Sequence, residues 1–235
     1  MADPPYLWPA SVLRPLQIRA NPVFFSRSGG TTLGGIRRTT RTDRGHWSIA
    51  YGGVPLSTEA QRRAWNSIRT YLAGSAGLLA VPAWSFDTTP WPAGSTQGYD
   101  TVTADSDPPF GAGSTYSSPA VEVEMAAAAA IGDTTVTLRL VSGTTSLVGV
   151  RFSHQHALYE TGTQSDITGD EWTVDVFPAI RAAIPEDAVL DLALPTCLCR
   201  LADDSAMDVV LSRGGHDRVD VAFVEAVDYW NDQAE

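Results

Sequence analysis

Residues 45–84 read GHWSIAYGGVPLSTEAQRRAWNSIRTYLAGSAGLLAVPAW, and this stretch decides the fold class. Residues 47–51 predict a strand, and the pair Gly52-Gly53 predicts a turn after it. Residues 58–73 predict a helix on several independent signals. Thr58 is placed as N-cap, with Gln61 three residues on, the T-x-x-Q form of the capping box. Glu59 sits in the first turn, where the helix dipole favours an acid. Trp65, Ile68 and Leu72 recur at i, i+3 and i+7 and form one apolar stripe, flanked by Ala60, Ala64 and Tyr71. Gly74 is expected just past the end, at C′. Arg62, Arg63 and Arg69 fall mostly on the far side with Asn66 and Thr70. Residues 78–84 form an apolar run. No other segment reads as a strong helix, so this one is expected to cover a β-core.

Composition agrees with that reading. The 235 residues allow one large domain or two small ones. A hydrophobic content of 43% with seven Trp can fill packed cores, and 20 Gly with 15 Pro fit many turns in a mainly β chain. No apolar run approaches about 18 residues, so no membrane insertion is expected. The first residues, MADPPYLWPASVLRP, have neither a basic start nor a long apolar run, so no secretory leader is expected.

Charge is unevenly divided. The chain has no lysine; all 16 basic residues are arginine, and the net charge is −11. Residues 1–74 hold 10 Arg against 3 acids, a net of +7, whereas residues 75–235 hold 6 Arg against 24 acids, a net of −18. A nucleic-acid binder would need a dense basic surface, which the whole chain argues against. A basic part beside an acidic part fits subunits that stack or ring with complementary charge. It equally fits no assembly, because net charge speaks mainly to solubility.

Taken in order, residues 1–22 are Pro-rich and irregular, which fits either an arm lying across a neighbour or a frayed, surface-hugging terminus. Residues 19–25 can start a sheet, and residues 26–35 (SRSGGTTLGG) form a Gly-rich hairpin or loop. Residues 36–43 (IRRTTRTD) read as a polar strand or loop edge. Residues 85–118 are loop-like, with spaced aromatics Trp91, Tyr99, Phe110 and Tyr116 that argue for a long ordered excursion. From about residue 119 short strands of about 5–7 residues alternate with turn signals, the pattern of a small barrel or sandwich. The last portion, MDVVLSRGGHDRVDVAFVEAVDYW, reads as a hairpin turning at Gly214-Gly215.

No catalytic constellation emerges. There is no G-x-S-x-G elbow around a serine and no phosphate loop in SGGTTLGG. His154 and His156 would share a strand face and could begin a metal site, but read better as polar residues at a strand end or turn. Cys197 and Cys199 form C-x-C, a poor spacing for a disulfide, and read as buried thiols. Acid pairs such as Asp203-Asp204 and Glu122-x-Glu124 are expected by chance in so acidic a chain; a glycosidase would need two of them at a defined separation. The run Arg37, Arg38, Arg41 and Arg44 is the strongest electrostatic feature, and it fits subunit salt bridges, a solvated face or a grip on nucleic acid. No cofactor or metal is expected, and the chain reads as a non-enzyme.

Three blocks together carry a resemblance. They are the 45–84 stretch, the second β-unit with VGVRFSHQHALYETG (148–162) and EWTVDVFPAIRAAI (171–184), and the closing strand RVDVAFVEAV (218–227). Their succession over residues 20–226 resembles the distal tail (baseplate hub) proteins of long-tailed bacteriophages.

The resemblance implies a mainly β fold: a split, tail-tube-like β-barrel or sandwich with one flanking helix, plus a second small OB-like or galectin-like β-domain. It places residues 1–118 together with 196–235 in the first domain and residues 119–195 in an inserted second one. It implies a hexameric ring that joins the tail tube protein to the hub or tip protein, while DNA or a tape-measure protein passes through the lumen. The expected location is the virion tail, assembled in the host cytoplasm. Arg37, Arg38, Arg41, Arg44, Arg62, Arg63 and Arg69 become candidate subunit contacts. The alternative is a peripheral tail-tip protein or carbohydrate-binding module, with Trp91, Tyr99, Phe110 and Tyr116 as candidate glycan contacts.

Overall fold

The computed structural model describes residues 5–31, 33–84, 88–91, 99–103, 115–119, 121–143, 146–209 and 217–234. Arg41, Asp43, Arg44, Ala234 and residues 99–103 and 115–119 are described by backbone alone. The chain runs β1 (Tyr6–Leu7), β2 (Gln17–Thr31), β3 (Arg37–Leu56), α1 (Glu59–Leu72) and β4 (Leu79–Pro82). A small hairpin follows, β5 (Tyr99–Thr103) against β6 (Thr115–Pro119). Next come β7 (Glu122–Met125), β8 (Thr135–Ser142), β9 (Arg151–His154), β10 (Ala157–Thr168), β11 (Glu171–Phe177) and β12 (Val189–Leu190). The chain returns through β13 (Thr196–Leu201), β14 (Asp217–Glu225) and α2 (Val227–Ala234). The fold is mainly β, with barrel-like sheet packing, as expected.

The first sheet has the order β1-β4-β13-β14-β3-β2 and so draws strands from both ends of the chain. Helix α1 lays Trp65, Ile68 and Leu72 on its core. Burying each such side chain stabilises the fold by about 1.5–3 kcal/mol relative to leaving it exposed. The capping box forms as read: Gln61 N–H donates to Thr58 Oγ1 (3.3 Å), and Thr58 N–H donates to Gln61 Oε1 (3.0 Å). The left-handed turn begins one residue earlier than expected, at Ala73 (φ 48°), and continues through Gly74 (φ 88°).

Three readings of this half are corrected. Gly52-Gly53 is a bulge inside β3 and not a turn: the register slips opposite Asp220, and Gly53 (φ 66°) donates its N–H to Asp220 Oδ1 at 2.7 Å. From residue 5 on, the N-terminal segment is not frayed but is built into the chain's own first sheet and core. Trp8 and Leu13 are fully buried in the first core, the Trp8 indole donates to Leu13 O (2.9 Å), and β1 pairs parallel with β4. The chain end also carries a second helix, α2, too short for its periodicity to register against the hairpin signal before it. The turn at Gly214-Gly215 lies outside the described residues.

The second sheet has the order β12-β7-β8-β11-β10-β9. Ser153 and Asp191 exchange two backbone hydrogen bonds (2.9 and 3.0 Å), so its two edges meet and the sheet curls around its own core. This core contains Val123, Leu138, Phe152, Tyr159 and Val174. The two cores share strand β13. Cys197 and Cys199 face the first core, whereas Leu198 between them faces the second, as the period of two requires. In return Leu158 of β10 sits in the first core, and Trp230 of α2 sits in the second.

Candidate interaction surface

Strands β2 and β3 continue well past the sheet. β3 is paired with β14 only from Ser48 onward, yet its pairing with β2 extends out to Arg37. The result is a two-stranded ribbon projecting by roughly 25–30 Å, at about 3.3 Å per residue. Its base is seated on the second unit, where the Phe24 and Phe177 rings meet at a tilt of 44° with centroids 4.4 Å apart. Gly45 is required there: a Cβ at this position would meet Phe177 Cζ at 2.0 Å and Val23 O at 2.7 Å.

Beyond that seat the ribbon is exposed on both faces. Phe25 is 52% exposed and Ile36 62%, and Leu33 is wholly open. Arg37 and Arg38 lie in the exposed outer part of the ribbon, and Arg37 Nε donates to Ser28 Oγ at 2.9 Å. Arg41 and Arg44 belong to the same strand, and their side chains lie outside what is described. The structure therefore brings Arg37 and Arg38 together with exposed apolar side chains.

The helix arginines form a separate group with unequal roles. Arg62 is half-buried and donates through Nε to Leu56 O (2.8 Å), tying α1 to the end of β3. Arg63 pairs with Glu59 one turn earlier at 2.5 Å, with both side chains exposed. Arg69 is exposed in the last turn. Of the candidate glycan contacts, Trp91 is half-buried and packs against the second core. Tyr99 begins β5 and Tyr116 lies in β6, with side chains undescribed, and Phe110 lies outside the described residues.

The most buried charge in the described structure is one that composition did not single out. Arg181 Nε donates to Glu225 Oε1 at 3.0 Å, with the Glu225 side chain fully buried and the Arg181 side chain 12% exposed. Glu225 Oε2 accepts from Trp47 N–H (2.9 Å), Arg181 Nη2 also donates to Gly45 O, and Arg181 N–H donates to Tyr159 Oη (2.9 Å). Burial pushes the Glu225 carboxyl above its ordinary value, with Arg181 pulling back. Burial likewise pushes the Tyr159 phenol up to about 12. The Trp47 indole donates across to Leu158 O (2.9 Å), and the Arg151 guanidinium lies over its ring at 5.3 Å. This network joins β3 and β14 of the first sheet to the second unit. Sequence could not reveal it, because Arg181 and Glu225 stand among many other charges and 44 residues apart.

The remaining chemical candidates resolve simply. Cys197 and Cys199 are free and buried, and burial pushes the Cys197 thiol up, away from reactive thiolate. His154 ends β9 and His156 lies in the turn after it, where Nδ1 meets Thr196 Oγ1 at 2.8 Å. Asp204 is held below the usual carboxylate range by the hydroxyl and backbone N–H of Ser75. Among the described residues no group of three or more His, Cys, Asp and Glu is arranged to hold a metal ion. No helix of the described structure is long and apolar enough to cross a membrane. The chain matches no protein-family model and no curated protein.

Proposed function

We propose that this chain is a non-enzymatic structural subunit of a bacteriophage tail, forming a ring at the distal end of the tail tube and joining tube to tip. The observation that carries the reading is the β2–β3 ribbon. A two-stranded ribbon is marginal alone in water, and its open edges and exposed Phe25, Leu33 and Ile36 invite a covering surface. A neighbouring copy supplies one by a head-to-tail contact, which closes into a ring when the rotation closes. The basic first 74 residues, net +7, complement the acidic remainder, net −18, across such a contact. The barrel-like fold with one flanking helix and a second β-unit agrees with the resemblance to distal tail proteins. In that reading the ring is a hexamer that contacts the tail tube and hub proteins and lets DNA or a tape-measure protein pass.

Sedimentation velocity on the full chain and on the double variant Arg37→Ala/Arg38→Ala tests the charged part of this contact. The assembly is expected to weaken as salt rises, because screening acts on exposed pairs, and to weaken at low salt in the variant. Assembly unchanged by both would remove these arginines from the contact.

A further inference from the structure

The outer face of the second sheet matches the ribbon in charge and in size. Strand pairing aligns Val189, Glu124, Arg139, Glu171 and Thr168 in one row across β12, β7, β8, β11 and β10. Side chains alternate along a strand, so this row points away from the second core, where Val123, Leu138 and Trp172 lie. Arg139 is the only basic residue on these five strands. Three carboxylates reach it: Asp187 at 3.0 Å, Glu124 at 3.6 Å and Glu171 at 3.7 Å. The flanking rows of the same face add Glu122, Asp166 and Asp175 and no arginine. Six acids thus stand against one arginine, an excess of five negative charges.

The ribbon carries the opposite excess. Residues 24–44 hold five arginines and one acid, an excess of four positive charges. Arg27 pairs across to Thr40, two residues from Arg38, so Arg27 and Arg38 share one face of the ribbon. Arg37 lies on the other face, where it meets Ser28. Either face therefore presents a guanidinium. Apolar groups also stand open on both surfaces. Val189 is 58% exposed and Val141 52% on the acidic face, as Phe25, Leu33 and Ile36 are exposed on the ribbon. Neither surface covers the other within one chain, so they can meet only between chains.

Dimensions agree as well. Five strands about 4.8 Å apart make a face roughly 19 Å across, which a ribbon of roughly 25–30 Å spans. Two β surfaces pack face to face with their strands within about 30° of each other. We propose that the β2–β3 ribbon of one copy docks on the outer face of the second sheet of a neighbouring copy, its arginines against the acids of that face and its apolar side chains against Val141 and Val189. The two charge excesses, +4 and −5, then nearly cancel. Ribbon and face are different parts of the chain, so the contact is head-to-tail and repeats from copy to copy. The assignment rests on the ring reading above and names the surface that receives the ribbon.

Sedimentation velocity at low salt on four samples tests it. These are the parent, the ribbon variant Arg37→Glu/Arg38→Glu, the face variant Asp166→Arg/Glu171→Arg, and an equal mixture of the two variants. Each variant alone sets like charges against each other and should associate at least about tenfold more weakly than the parent. The mixture should regain most of that loss, because the acidic ribbon of one variant then meets the basic face of the other, and the reverse. The gentler face variant Asp166→Asn/Glu171→Gln should weaken association by a smaller factor and excludes misfolding as the cause. Face variants that associate like the parent overturn the proposal, as does a mixture no tighter than its components. Both results leave the ring reading standing while the parent still associates. A parent that stays monomeric removes the ring reading and this contact with it.

Discussion

Arg181 and Glu225 meet at 3.0 Å in the seam between the two sheets, and the same carboxylate accepts the backbone N–H of Trp47. Two strands of the first sheet are thus pinned to the second unit by one buried charge pair. Removing either charge leaves the other buried and unmatched. Arg181→Ala or Glu225→Ala should each cost about 3–5 kcal/mol in urea unfolding. Arg181→Met combined with Glu225→Leu should recover most of that loss, because apolar replacement of a buried pair is often neutral or better. A double variant as unstable as the sum of the singles would contradict this account of the seam.

The same pair sets a pH dependence with a definite sign. Burial raises the folded Glu225 pKa, so the folded chain holds this proton more tightly than the unfolded chain does. Its stabilising contribution is complete below the unfolded value of about 4.3 and is lost as pH rises through the raised folded value. Asp228 runs the other way. The Arg200 hydrogen bond lowers its pKa, so its contribution is present above about 3.9 and is lost as pH falls through the folded value. Asp228 is largely exposed, which keeps its share small. Glu225→Gln deletes the first titration only. The stability deficit of Glu225→Gln against the parent should therefore shrink from acid to neutral pH in thermal melts. A deficit that grows toward neutral pH would reverse the assignment.

At the foot of the ribbon the critical contact is a missing side chain. Gly45→Ala puts a Cβ into the Phe177 ring and against Val23 O. Overpacking of this kind costs about 1–3 kcal/mol. Adding Phe177→Ala should relieve the ring clash and leave the one with the Val23 carbonyl, so the double variant should show a favourable coupling energy. Strict additivity would mean that the ribbon does not rest on Phe177.

Residues 45–84 made the β-core and its covering helix legible, because α1 is written in local signals: the Thr58–Gln61 box, the Trp65, Ile68 and Leu72 stripe, and the acid in its first turn. What stayed hidden depends on partners distant in the chain. Gly52-Gly53 looks like a turn locally, and becomes a bulge only because Asp220 on β14 accepts the Gly53 N–H. The prolines of residues 1–22 masked Trp8 and Leu13, whose burial is tertiary. The ribbon reads as loop and polar strand because neither of its faces meets this chain's own core.

The central claim is assembly, and negative-stain microscopy of the full chain, with native mass on the same sample, tests it most directly. The account predicts a six-fold ring with an open centre and a mass of six chains, each of 25.1 kDa. A chain that stays monomeric at high concentration and in low salt would contradict it.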